Sequence, residues 1–267
     1  MSTTSPVQLS HGHHHGHDVG ERLYIHKHSV VHALASHLKI LAVLSFILVV
    51  VATEITNWLA FIGYFLLILS AVLVAKINLI TTFKRALIEI PFVFFAILMP
   101  FFGTGDVVQV GPFQLYEAGL LAGASIVAKG TLGVLSAVLL STTTTAREIL
   151  RGLERLKLPK VMVQIATFML RYLNVVTDEM ERMRVARASR GFDAKGIRHW
   201  RVLANSAGAL FIRSYERGER VHLAMLSRGY SGELPKEERE EVLPQQIALG
   251  LALPLLALTS LLISILI

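Results

Sequence analysis

The sequence predicts an all-α, polytopic integral membrane protein with about five transmembrane helices and two long amphipathic cytoplasmic helices. Three observations carry that expectation. Mean hydropathy is +0.57, and 53% of the 267 residues are hydrophobic against 17% charged, too apolar for an ordinary soluble domain of this length. Apolar runs stand at 38–56, 58–75, 86–102, 118–140 and 246–267, each near the length a bilayer requires. The stretch 161–230 instead spaces its apolar residues at steps of three and four, with charge between them, as helices outside the hydrocarbon do.

In chain order, residues 1–37 form a polar, histidine-rich segment. His11, His13, His14, His15 and His17 sit among glycines, a composition that has little to bury and is expected to be a solvated tail or a loose binder of Ni²⁺, Co²⁺ or Zn²⁺. His28 and His32 are one helical turn apart but lack an obvious third ligand. No cleavable signal peptide is expected, because the first apolar run begins only after this polar start.

Residues 38–140 hold the first four spans. The second opens on Trp58, an interfacial residue type, and the third is expected to kink at Pro91. Glu89 lies one turn from Arg85, which reads as an interfacial ion pair. The stretch 103–117 reads as a polar loop. In the fourth span, Gly119 with Gly123 and Gly130 with Gly133 favour close helix packing. Lys129 falls near the middle of that span, where a lipid-facing lysine costs roughly 2.5–3.5 kcal/mol. It is expected to face protein or water, either within the bundle or at an interface with another membrane chain. Residues 242–267 hold the fifth span, with Pro254 as an expected kink.

Residues 141–241 are the cytoplasmic region. One seam there runs through Val161, Ile165, Phe168, Tyr172, Val176, Met180 and Met183, and a second through Trp200, Leu203, Ala207, Leu210, Ser214, Gly218, Val221 and Met225. Both helices close on the same phrase, Ser189-Arg190-Gly191-Phe192 and Ser227-Arg228-Gly229-Tyr230. Glycine takes the left-handed conformation of a helix C-cap without steric penalty, so each arginine sits at a helix end. One such arginine is explained by the helix dipole. Two copies of the phrase point further, to guanidinium forks presented to carboxylates in a partner's groove.

The net charge is +7, but the arginines alternate with acids and no nucleic-acid motif accompanies them. Topology explains the charge better. Of the 26 lysines and arginines, 19 lie in 141–241, six in 1–39 or 76–85, and none in 53–57 or 103–117. The positive-inside rule therefore puts the N-terminus and 141–241 in the cytoplasm. Cysteine is absent, which removes thiolate metal sites and cysteine nucleophiles. The run from Gly123 to Thr131 has Lys-Gly-Thr where a P-loop needs Gly-Lys-Thr, and it lies inside a span. There is no His-Glu-x-x-His, nucleophile elbow or paired-aspartate motif, and the reading is a non-enzyme without a cofactor.

Five spans with a pair of cytoplasmic helices, each tipped by Ser-Arg-Gly, resemble the T component of energy-coupling factor transporters, whose signature is a doubled Ala-Arg-Gly or close variant. The stretches Leu153-Glu-Arg-Leu-Lys-Leu-Pro159, Phe211-Ile-Arg-Ser-Tyr-Glu-Arg-Gly-Glu-Arg-Val221 and Ala224-Met-Leu-Ser-Arg-Gly-Tyr230 are similar to its CbiQ-type cobalt-transport branch, as is the N-terminal stretch Ser29-Val-Val-His-Ala-Leu34. The likeness covers about 22–267, with serine where the usual signature has alanine. It implies a coupling subunit in a bacterial or archaeal cytoplasmic membrane. Ser189, Arg190, Gly191, Ser227, Arg228 and Gly229 would dock a pair of ABC-type ATPase subunits. A separate substrate-binding membrane subunit would choose the cargo, with Co²⁺ first, Ni²⁺ second and a vitamin third. Two readings from other classes stay open at this point: a self-standing cation channel or permease using the histidines, Glu89 and Lys129, and a membrane enzyme acting on lipid head groups.

Overall fold

The computed structural model describes residues 24–25, 29–102, 107–110, 113–192, 199–232 and 243–266. The histidine tract, His26 and His28 lie outside the described residues. Helices are α1 (Ser36–Ala52), α2 (Trp58–Val74), α3 (Leu79–Ala86), α4 (Ile90–Leu98), α5 (Glu117–Thr143), α6 (Ala146–Arg155), α7 (Lys160–Ser189), α8 (Trp200–Leu226) and α9 (Pro244–Leu266).

The core lies where α1, α2, α5 and α9 meet. Phe46 and Tyr64 are fully buried and their rings meet edge to face at 5.9 Å. Ile68, Val72, Leu132, Leu135, Leu139 and Ala257 belong to the same cluster. The Tyr64 hydroxyl meets the Thr53 hydroxyl at 2.9 Å, so this buried phenol has a partner. The opposite faces are equally apolar and face outward: Leu48 is 69% exposed, Phe92 62% and Leu262 58%. An exterior this apolar is the mark of a lipid-facing surface.

Two helices, α5 and α9, are long and apolar enough to cross a bilayer. The apolar helices α1 and α2 have 17 residues each, roughly 25 Å at about 1.5 Å per residue, against a hydrocarbon core of about 30 Å. The expected third span is not one helix. The run 86–102 is divided into a 3-10 turn at Leu87–Glu89, α4 of nine residues, and a second 3-10 turn at Met99–Phe101, while α3 occupies most of the basic stretch 76–85 before it, where a short loop would be expected from the sequence. Pro91 consequently sits in the first turn of α4 rather than kinking a longer helix, since proline has no N–H to donate backwards and its ring suits a helix start. Pro254, by contrast, lies inside α9, which continues through it.

The expected loop at 103–117 contains an antiparallel hairpin, β1 (Val107–Val110) with β2 (Phe113–Tyr116), in the register Val107 to Tyr116 through Val110 to Phe113. Its valine and aromatic content favours extended backbone, a signal outweighed in the sequence by the flanking glycines. The hairpin packs at the end of the bundle where α5 begins.

The other end gathers the start of α1, the end of α5, the start of α9, and α6. There Lys39 is 5% exposed and donates to the carbonyls of His32 and Thr143, both at 3.0 Å. A cation on the last carbonyls of α5 satisfies groups the helix itself cannot. Gly152 of α6 lies against α1 so closely that a Cβ would be 2.7 Å from Ile40 and 3.0 Å from the His37 nitrogen. The α5–α6 junction is turned by a capping box: Thr145 accepts from the Glu148 N–H at 3.3 Å, and Glu148 accepts from the Thr145 N–H at 2.8 Å. Thr145→Ala is expected to lower stability by about 1 kcal/mol, measured as a lower unfolding midpoint of the full chain in detergent, with Thr145→Ser close to the parent.

Candidate functional site: two capped helix ends

Both Arg-Gly phrases form the same backbone structure. After α7, the Gly191 N–H donates to Ala188 at 2.9 Å and the Phe192 N–H to Arg187 at 3.1 Å. After α8, the Gly229 N–H donates to Leu226 and the Tyr230 N–H to Met225, both at 3.0 Å. This pair of bonds is the Schellman motif, which requires a left-handed residue. Gly191 has φ +75° and Gly229 φ +83°. A Cβ at either glycine would meet nothing within 4 Å, so conformation and not space selects glycine there.

The serines repeat as well: Ser189 Oγ donates to Ala186 and Ser227 Oγ to Ala224, at 3.1 and 3.0 Å. Each hydroxyl turns back onto its own helix and leaves the arginine next to it exposed. Even the aromatic residues match. Phe192 meets His199 edge to face at 5.3 Å, and Tyr230 meets His222 at 6.4 Å.

The two helices run antiparallel. Gln164, in the first turns of α7, donates to Gly232 at 3.2 Å and accepts from the Tyr230 hydroxyl at 3.5 Å. At the other end Arg187 donates to Ser206 of α8. Between them Glu179 accepts from Arg182 of its own helix at 2.8 Å and from Arg213 of α8. Hydrogen bonds from Arg182 and then Arg213 hold the Glu179 carboxyl below the usual carboxylate range. This register puts Arg228 beside the first turns of α7, about 25 residues from Arg190, or roughly 35–40 Å at 1.5 Å per residue.

The expected apolar seams are realised only in part. Phe168, Tyr172, Val176 and Met183 of α7 and Leu210, Ser214, Val221 and Met225 of α8 are half-buried. Val161, Ile165, Met180, Trp200, Leu203, Ala207 and Gly218 are exposed. Among the described residues α8 buries none and α7 only Val163. Two helices touching mainly through long polar side chains cannot bury seams of that length.

Glu89 and Lys129 lie elsewhere, in the bundle. Glu89 is 5% exposed and accepts from the Thr131 hydroxyl of α5 at 3.2 Å. Gly130 makes the room, since a Cβ there would be 2.5 Å from the Glu89 carboxylate. Lys129 donates to the Val51 carbonyl, at the last turn of α1, at 2.8 Å, a position where a cation meets the negative end of a helix. Sequence reasoning missed Lys39, Gln164, Glu179, Arg187 and Arg213 as bracing groups. Only the Glu179–Arg182 spacing of three on one helix carried a signal. Among the described residues no group of three or more histidine, aspartate or glutamate side chains is arranged to hold a metal ion.

The all-α, helix-rich fold, with two long apolar helices among the described residues and an apolar exterior, is consistent with a membrane protein. Comparison with known proteins narrows this. The CbiQ family, described as cobalt transport protein, matches residues 27–240. An uncharacterized protein of Methanocaldococcus jannaschii is 34% identical over 113 residues, covering 42% of this chain and 39% of that protein, so the chain spans well under two thirds of that relative. The energy-coupling factor transporter transmembrane protein EcfT of Listeria innocua is 28% identical over 78% of this chain and 83% of its own length. The cobalt transport protein CbiQ of Rhodobacter capsulatus is 30% identical over 61% of this chain and 70% of its own. The chain belongs to the CbiQ family of energy-coupling factor T components, which are transport proteins and not enzymes.

Proposed function

We propose that the chain is the transmembrane coupling subunit of an energy-coupling factor importer. It passes ATP-driven motion from a pair of ABC-type ATPase subunits to a substrate-binding membrane subunit. The observation that carries this reading is the duplicated, Schellman-capped arginine at opposite ends of one braced helix pair. Each guanidinium stands free of its own helix on a rigid turn, and two such forks suit two equivalent grooves on a dimer.

In this reading α1, α2, the run 86–102 around α4, α5 and α9 cross the membrane, and residues 141–241 form the cytoplasmic coupling region. The end of the bundle with Lys39 and the arginines of α6 and α7 faces the cytoplasm by the positive-inside rule. Residues 1–37 precede the first span on that same side. Co²⁺ is the proposed cargo, supported by the description of the family as cobalt transport protein and by the chain's likeness to the cobalt transport protein of Rhodobacter capsulatus.

The test is co-purification of the tagged full chain from its native membrane. An ABC-type ATPase and a small multispanning protein are expected to come with it, and cells are expected to take up labelled Co²⁺ in competition with Ni²⁺. A chain that comes out alone and conducts metal ions in vesicles would overturn the reading in favour of a self-standing channel.

A further inference from the structure

The pair α7 and α8 has little packing to set its crossing. A hollow lies at the centre, lined by Tyr172, Val176, Ser214, Arg217, Gly218 and Val221. Small residues on the α8 side leave that space unfilled. What spans the gap is Glu179: its side chain is 17% exposed, while its two partners, Arg182 and Arg213, are 66% and 60% exposed. The carboxylate is therefore the inner, shared member, and the guanidiniums reach in to it from either helix. Other ties, Gln164 with Gly232 and Tyr230 and Arg187 with Ser206, lie towards the two ends. The end ties hold the two ends, and the Glu179 fork joins the helices beside the hollow between them. Isolated exposed ion pairs contribute little, but this is a three-membered network about an inner carboxylate, the case in which such contacts can hold a geometry.

We propose that Glu179 is the positioning residue that fixes the crossing of α7 and α8, and through it the separation of the two arginine ends. Its consequence for transport rests on the coupling reading given above, whereas the crossing itself does not. Because Arg190 and Arg228 must reach two sites at once, a pair with a loose crossing presents them at many separations and engages both only for a fraction of the time.

The chain contains no cysteine, so Ser189→Cys with Ser227→Cys places two spin labels beside the arginines and nowhere else. Dipolar distance measurements on the full chain in lipid nanodiscs are expected to give one narrow population near the ~35–40 Å of the helix register. Adding Glu179→Gln is expected at least to double the width of that distribution. Reversing the link, Glu179→Arg with Arg213→Glu, is expected to restore it, because the new carboxylate can bridge residue 179 and Arg182. Glu181→Gln, which removes a pair confined to α7 with Arg184, serves as the control and is expected to leave the width unchanged.

A width unaltered by Glu179→Gln overturns the proposal, as does equal broadening by Glu181→Gln. Should Glu179→Gln not fold, Arg213→Gln removes the inter-helix half of the fork alone and is held to the same result. No ATPase is present in this measurement. A negative result here leaves the coupling function standing, and a failure to co-purify an ATPase leaves the crossing measurement valid.

Discussion

Replacing Arg190 and Arg228 together by glutamate is expected to abolish ATPase recruitment and coupled uptake while the chain still inserts and folds. The folding half of that expectation follows from the cap geometry. Neither arginine side chain closes the turn; the turn is made by backbone bonds from Gly191, Phe192, Gly229 and Tyr230. The recruitment half follows from charge. A guanidinium docked against a carboxylate in a groove loses its water, and removing one member of such a pair costs about 3–5 kcal/mol, a hundredfold or more in affinity. Reversal adds repulsion. Each single replacement is therefore expected to weaken ATPase binding by at least about a hundredfold, read by titrating purified ATPase onto the chain in nanodiscs. Unchanged binding in the double variant, with the chain folded, would remove these arginines from the docking surface.

The second large effect is expected inside the bundle. A Cβ at Gly119 would lie 2.5 Å from the Met99 carbonyl oxygen and 2.9 Å from the Pro100 Cα, and one at Gly123 would lie 2.5 Å from the Ala96 carbonyl oxygen. The obstructing atoms are backbone, so no rotamer change relieves them, and the α4 unit has to move off α5. Gly119→Ala with Gly123→Ala is expected to cost roughly 1–3 kcal/mol per site, a large part of the total stability of an ordinary domain. Recovery of monodisperse protein and the unfolding midpoint should both fall. Gly133 stands on the same helix with nothing within 4 Å of its missing Cβ. Gly133→Ala is expected to be neutral or to stabilise by up to about 1 kcal/mol, the ordinary gain of alanine in a helix. If the two kinds of glycine respond alike, close approach is not their role.

This contrast also marks how far the bundle was legible. The spacing of Gly119 and Gly123 correctly indicated close packing, but the same reasoning applied to Gly130 and Gly133 did not distinguish three different situations. Gly123 meets backbone, Gly130 meets the Glu89 carboxylate, and Gly133 meets open space. Which situation holds depends on what crosses each position, and spacing within one helix carries no record of its neighbour. Glu89 makes a related point: Arg85 is its neighbour along the chain, and packing also brings it Thr131, 42 residues away. The division of the third apolar run at Leu87–Glu89 escaped composition too, since 3-10 turns and α-helix accept the same residues.

What the amino-acid order determined alone was local in cause. Apolar runs specify where the long apolar helices α5 and α9 stand, because transfer energy sums along a segment. Arg-Gly-aromatic specifies where α7 and α8 stop, because only glycine holds a left-handed φ without penalty. The tertiary structure decided the pairings made across distance: Lys129 to the Val51 carbonyl over 78 residues, Lys39 to Thr143 over 104, and Glu179 to Arg213 over 34. A charged side chain of either sign has many acceptable partners, and helix packing selects one by bringing it within hydrogen-bond reach.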